Sequence, residues 1–78
     1  MESPLQLEAR GDSMFERVTN LLEDYGEVQI RFDSGEEAEL HRHNTEVLDE
    51  PFIKVVTKGE AHWVNAEKIE TAWIHYEY

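Results

Sequence analysis

The chain has 78 residues, of which 18 are acidic and 7 are lysine or arginine; its formal net charge is −11, and it contains no cysteine. A chain of this length forms one small domain, which excludes a multidomain enzyme. The missing cysteines exclude disulfide bonds and thiolate-based zinc sites or nucleophiles. Because phosphates attract lysine and arginine, the acidic surface argues against nucleic-acid binding and against binding to anionic membranes.

The composition predicts a soluble, cytoplasmic protein. Hydrophobic residues make up 40% of the chain and fall in periodic blocks, which is typical of a folded domain. No apolar run approaches the roughly 18 residues that span a bilayer, and the N-terminus lacks the basic start and apolar stretch of a signal peptide. Residues 1–12 carry Pro4, Gly11 and several charges, so we expect a loose N-terminal arm before a single domain at 13–78.

The first predicted element is a helix over residues 13–25. Ser13 and Glu16 have the spacing of a capping box, in which each side chain accepts a hydrogen bond from the other residue's backbone N–H. Gly26 then supplies the left-handed residue that commonly ends a helix. The apolar residues between them recur at helical spacing and form one stripe: Met14, Phe15, Val18, Leu21, Leu22 and Tyr25.

From Glu27 the apolar period changes from 3.6 to 2, which indicates strands with one buried face. The turn signal at 33–35 predicts a hairpin of strands 27–33 and 37–41. A polar connection over 43–51 leads to strands 52–56 and 61–64, which are joined by a turn at Lys58 and Gly59. One helical turn at 65–68 precedes a last strand over 69–78.

These elements predict an α+β, mainly β, fold: an N-terminal helix followed by five antiparallel strands in a partly open barrel. Short antiparallel strands tend to curl towards a barrel because closure removes exposed edges. The helix would cover the open end. The alternative is an open antiparallel sheet with the helix across one face.

The order of elements over 26–48 and 63–74 resembles the SH3-like small barrels, in particular the Sm-like fold. In Sm proteins, an aspartate and an asparagine near the end of the second strand hold an RNA base. The corresponding positions here carry Asn44 and Leu48, and the second, glycine-containing motif is replaced at 64–69. The resemblance therefore implies a shared fold without RNA binding.

Three stretches, 39–45, 62–69 and 73–75, resemble small acidic proteins of halophilic archaea that have no assigned function. The net charge suits that group, because concentrated salt screens the repulsion between carboxylates. This resemblance implies an environment and no mechanism.

Four histidines form a candidate metal site. His41 and His43 lie two apart on a predicted strand, so their rings point to the same face, which Glu39 shares. His62 and His75 lie on later strands and would complete the site if those strands were neighbours. The alternative is that all four are exposed polar side chains. They do not match a metal-binding motif with defined spacing such as H-E-x-x-H, so the sequence implies no cofactor.

Aromatic residues are concentrated in the last third of the chain: Trp63, Trp73, Tyr76 and Tyr78. Both tryptophans have the opposite strand parity to their apolar neighbours Val64 and Ile74, so one set faces outward unless a bulge changes the register. Exposed tryptophans are common at interfaces, which favours self-association or a protein partner. The alternative is that the helix or the N-terminal arm covers them.

No catalytic constellation is visible in the sequence. Glu36, Glu37 and Glu39 beside the hairpin turn are typical of a solvated face, and no nucleophile with a base or glycine-rich phosphate loop is present. We therefore expect a noncatalytic protein-interaction module or accessory subunit adapted to high salt. The alternatives are an acidic mimic of nucleic acid that inhibits a basic partner, and a histidine-based metal-binding protein.

Overall fold

A computed structural model describes residues 13–75. The N-terminal arm predicted for residues 1–12 lies outside the described residues, as do Tyr76 and Tyr78. The elements in chain order are α1 (Met14–Tyr25), β1 (Glu27–Phe32), β2 (Glu37–His41), a short 3-10 helix η1 (Arg42–Asn44), β3 (Thr45–Val47), β4 (Phe52–Thr57), β5 (Glu60–Asn65), a second 3-10 helix η2 (Ala66–Lys68) and β6 (Ile69–Trp73). None of the helices within 13–75 has the length and apolar character needed to cross a membrane.

The predicted helix and both of its ends are confirmed. The Ser13 hydroxyl accepts a hydrogen bond from the Glu16 backbone N–H at 3.1 Å, and the Glu16 carboxylate accepts one from the Ser13 N–H at 3.2 Å. Gly26 has φ +83° and donates its N–H to the Leu22 carbonyl at 2.8 Å. The left-handed conformation at Gly26 is the reason a glycine ends this helix.

The strands form two antiparallel three-stranded sheets: sheet A in the order β2-β1-β6 and sheet B in the order β3-β4-β5. The prediction of one helix followed by mainly antiparallel strands is confirmed. The predicted number of five strands is wrong, because residues 13–75 already contain six, and the two sheets do not close into a barrel. The last strand ends at Trp73 rather than continuing to residue 78.

The sixth strand is β3, which lies inside the stretch 43–51 that was predicted to be a connection. Thr45 pairs with Val55 and Val47 pairs with Ile53, so β3 is held by contacts to β4. It is separated from β2 by η1, where the Asn44 side chain accepts a hydrogen bond from the His41 backbone N–H at 2.9 Å. The polar residues of β3 conceal it in the sequence, because a strand of this kind is stabilised by pairing with its neighbour β4 rather than by its own composition.

The core lies between the two sheets and α1, which packs against β1, β6 and η2. Val28 and Ile30 alternate into it from β1, and Ile53 and Val55 from β4, as the period of 2 predicts. The complete buried set is Val18, Leu22, Val28, Ile30, Leu40, Ile53, Val55, Ala66 and Ile69. Because these strands bury one face, their remaining side chains point to the outer faces of the two sheets.

Candidate functional site

The outer face of sheet B carries an apolar patch. Ile53 and Val55 point into the core, so Phe52, Lys54 and Val56 point outward from β4. On β5, Trp63 lies opposite Lys54 and Ala61 lies opposite Val56. We define the sheet B patch as the four apolar residues of this face: Phe52, Val56, Ala61 and Trp63.

Trp63 is the most exposed large hydrophobic side chain within residues 13–75. It is 61% exposed, compared with 47% for Val56 and 43% for Phe52. The Lys54 ammonium lies 5.5 Å from the Trp63 ring centroid, within cation–π range. With this contact in place, most of the Trp63 surface remains in water. Trp63 therefore faces outward from sheet B, whereas its neighbour Val64 is half-buried.

Trp63 also lines two grooves on either side of it. The larger groove, of about 830 Å³, runs between the sheets and has an apolar floor that includes Leu40 from sheet A and Val55 from sheet B. The smaller groove, of about 620 Å³, is formed by Phe52 together with residues of the β3–β4 connection. Trp63 therefore lies at the junction of the sheet B patch and both grooves.

Trp73 belongs to a different surface. It is half-buried on β6 in sheet A, opposite Gln29, and the Arg31 guanidinium lies 5.5 Å from its ring centroid. Trp73 lines neither groove. The structure thus separates the two tryptophans that the sequence grouped as one aromatic surface.

The outer face of sheet A brings His41 together with two carboxylates. His41 Nε2 lies 2.9 Å from Glu39 Oε2, and Nδ1 lies 3.9 Å from Glu27 Oε1. One ligand atom from each of the three residues falls within 4.8 Å of the others. Glu27 was missed from the sequence, although it lies directly opposite His41 in the hairpin register. The turn signal that aligns β1 with β2 would have been enough to place Glu27 there.

The other three histidines lie elsewhere. The His43 ring stacks on His41 with 5.3 Å between centroids, but His43 belongs to η1 rather than to the strand. His62 is on β5 and contacts Glu60 at 3.1 Å, and His75 is exposed after β6. Within residues 13–75, the group formed by Glu27, Glu39 and His41 is the only one with metal-ligand spacing. The described structure therefore does not gather the four histidines into one site.

The carboxylates beside the β1–β2 turn are exposed. Glu37 forms an ion pair with Arg31 at 3.2 Å, and Arg31 also lies 3.9 Å from Glu70. Asp33 and Glu36 are exposed at the rim of the larger groove. These acidic groups give one side of the groove a negative charge.

Comparisons with protein-family models, with curated proteins and with solved structures gave no match.

Proposed function

We propose that this chain is a noncatalytic protein-interaction module or accessory subunit. Its contact surface is centred on Trp63 and comprises the sheet B patch and the two grooves beside it. The partner is either a second copy of the chain or a different protein. This proposal keeps the interaction role expected from the sequence and centres its surface on Trp63 of sheet B rather than on Trp63, Trp73, Tyr76 and Tyr78 together.

The observation that carries the proposal is the exposure of Trp63. A tryptophan that is 61% exposed, beside two further half-exposed apolar side chains, leaves much apolar area in water. Aromatic anchors next to shallow pockets are typical of the central residues of protein interfaces. Burial by a partner would recover about 25 cal/mol for each Å² of apolar surface removed from water.

The proposed setting is a salt-rich cytoplasm. The net charge of −11 would be screened there, because the Debye length falls to about 3 Å at 1 M salt. The patch on sheet B would remain effective, because burial of apolar surface does not depend on unscreened charge. The likeness to SH3-like and Sm-like barrels belongs to the same proposal.

Photo-cross-linking in the cells that make the protein tests this function. A photoreactive phenylalanine analogue is placed at position 63, and at position 20 of α1 as the matched exposed control. We expect a discrete cross-linked product from position 63 and none from position 20. Equal products from both positions, or none from position 63, would contradict the proposal.

Size-exclusion chromatography with light scattering separates the two kinds of partner. If the partner is a second copy, the natural chain shows the mass of a dimer at one or more salt concentrations from low to multimolar. The Trp63→Ser variant then shows the mass of a monomer. A strict monomer over that whole range assigns the contact to another protein. The control Asn20→Ser changes an exposed residue of α1 without altering sheet B.

Binding of a divalent cation is a second candidate function, favoured by the spacing of Glu27, Glu39 and His41. One imidazole and two carboxylates are a donor set that zinc accepts. Calorimetry with zinc tests this candidate: heat that is present in the natural chain and in His75→Ala but lost in His41→Ala would support it. Equal heats in the three proteins would remove it.

A further inference from the structure

We propose that the partner contributes a basic segment with a central apolar side chain, and that this segment occupies the larger groove. This inference rests on the proposed function and names the chemistry of the partner. It commits to a different protein rather than a second copy. Three features favour such a segment: the apolar floor of the groove, the charges on its rim and the charge of the whole chain.

The floor of the groove is apolar and draws on both sheets. Leu40 and Val55 are buried beneath it, while Phe32, Ala38 and Val64 are half-buried and complete it. A volume of about 830 Å³ lies within the usual range of ligand pockets. An aliphatic side chain placed there would contact both sheets and cover apolar surface that is now in contact with water.

The rim of the groove is acidic on the side of the β1–β2 turn. Asp33, Glu36 and Glu37 line this side, whereas Lys68 is the one lysine or arginine among the lining residues. Glu37 is already paired with Arg31, but within residues 13–75 we find no ion pair to Asp33 or Glu36. These two carboxylates can therefore each accept a guanidinium or ammonium group without breaking an existing contact.

The charge on the rim decides between the two kinds of occupant. A second copy would bring its own carboxylates beside Asp33 and Glu36, whereas a basic segment brings cations into direct contact with them, and at low salt the net charge of −11 adds a long-range attraction for such a segment. Electrostatic complementarity of this kind raises association rates and selects the partner. The apolar floor supplies the contribution that persists when salt screens the rim.

The test uses two synthetic pentapeptides and the full chain labelled with ¹⁵N. One peptide has a leucine flanked by two arginines on each side, and the other has glutamates in place of the arginines. Amide chemical shifts report where each peptide binds. We expect the arginine peptide to move the signals of Ala38 and Val64 and the Trp63 indole signal, and the glutamate peptide to move none of them.

Two charge-matched double variants locate the binding. Asp33→Asn/Glu36→Gln removes the unpaired rim carboxylates, and Glu23→Gln/Asp24→Asn removes the same charge from the exposed surface of α1. We expect the rim variant to bind the arginine peptide about fivefold more weakly, because two exposed ion pairs are lost. The helix variant should bind the peptide like the natural chain. The spectra of the unbound variants verify that both are folded.

Three results would overturn the inference: no shift of the groove signals, equal binding of the two peptides, or equal weakening by both double variants. None of these would by itself contradict the proposed function, because cross-linking from position 63 is scored separately. Cross-linking without peptide binding would leave an interaction module whose partner lacks this basic segment. Peptide binding without cross-linking would support the groove as a site for basic segments and contradict the proposed use of the Trp63 surface in the cells that make the protein.

Discussion

Replacing Arg42 tests how much the contact between η1 and the C-terminal end of α1 contributes to stability. The Arg42 guanidinium donates a hydrogen bond to the Glu23 carbonyl at 2.6 Å and a longer one to the Leu22 carbonyl at 3.5 Å. α1 has no basic residue in its own last turn. Arg42 therefore supplies from η1 the positive charge that favours the C-terminal end of a helix.

The magnitude follows from these contacts. Arg42→Met keeps the aliphatic stem and removes the charge and the donors. A hydrogen bond from a charged donor contributes about 1 kcal/mol at an exposed position, and the interaction with the helix dipole adds about 0.5 kcal/mol. We therefore expect the free energy of unfolding to fall by about 1.5 kcal/mol, which is about 6–12 °C in Tm for a domain of this size.

Urea unfolding followed by circular dichroism measures this change. Lys58→Met is the matched control, because it removes one positive charge from an exposed turn residue. Lysine and methionine are both unbranched, so both adopt the positive φ of this position at a similar cost. We expect the control to change the unfolding free energy by less than about 0.5 kcal/mol. If the two variants lose the same stability, the contact from Arg42 to the helix contributes nothing beyond net charge, and this reasoning is refuted.

Three further predictions concern stability and are measured by the same unfolding curves. Ile30 is fully buried, so Ile30→Ala should cost about 2–5 kcal/mol, and a loss below 1 kcal/mol would contradict its place in the core. Lys58 has φ +54° before Gly59 at φ +79°, so Lys58→Asn should stabilise the β4–β5 turn by about 0.5 kcal/mol; a loss of stability would show that the turn is not of this type. Ser13→Ala should lower the free energy of unfolding by about 1 kcal/mol, whereas Ser13→Asn should retain most of the stability that the cap contributes. Equal losses in the two variants would argue against the cap.

Elements whose signals are local could be predicted from the sequence. The capping residues Ser13 and Glu16 and the glycine at position 26 act within one turn of the helix, so both ends of α1 follow from neighbouring residues. The β1–β2 hairpin follows in the same way from its turn and its alternation. In each case the stabilising contact lies a few positions away in the chain.

Strands without an alternating pattern and features that depend on distant contacts could not be predicted. β3 pairs with β4 across a short connection, as β1 pairs with β2, but its polar residues leave no apolar alternation to mark it. The separation of Trp63 from Trp73 follows from the assignment of β5 and β6 to different sheets. The larger groove exists because the two sheets do not close, which is a property of their packing and of no single segment.

Strand parity predicted that Trp63 and Val64 face opposite sides of their strand, but not which of the two faces outward. The neighbours of Trp63 were missed, because the sheet B patch requires the register of β4 against β5. That register brings Lys54 beside Trp63 and leaves Phe52 on the same face.

The most direct measurement of the central claim is the ratio of cross-linking yields from positions 63 and 20 in the cells that make the protein. Both side chains are exposed, so the comparison isolates the apolar surface of sheet B from general accessibility. The account predicts a discrete product from position 63 at a yield well above that from position 20. Equal yields, or a higher yield from position 20, would contradict the claim that the surface around Trp63 is where this protein meets its partner.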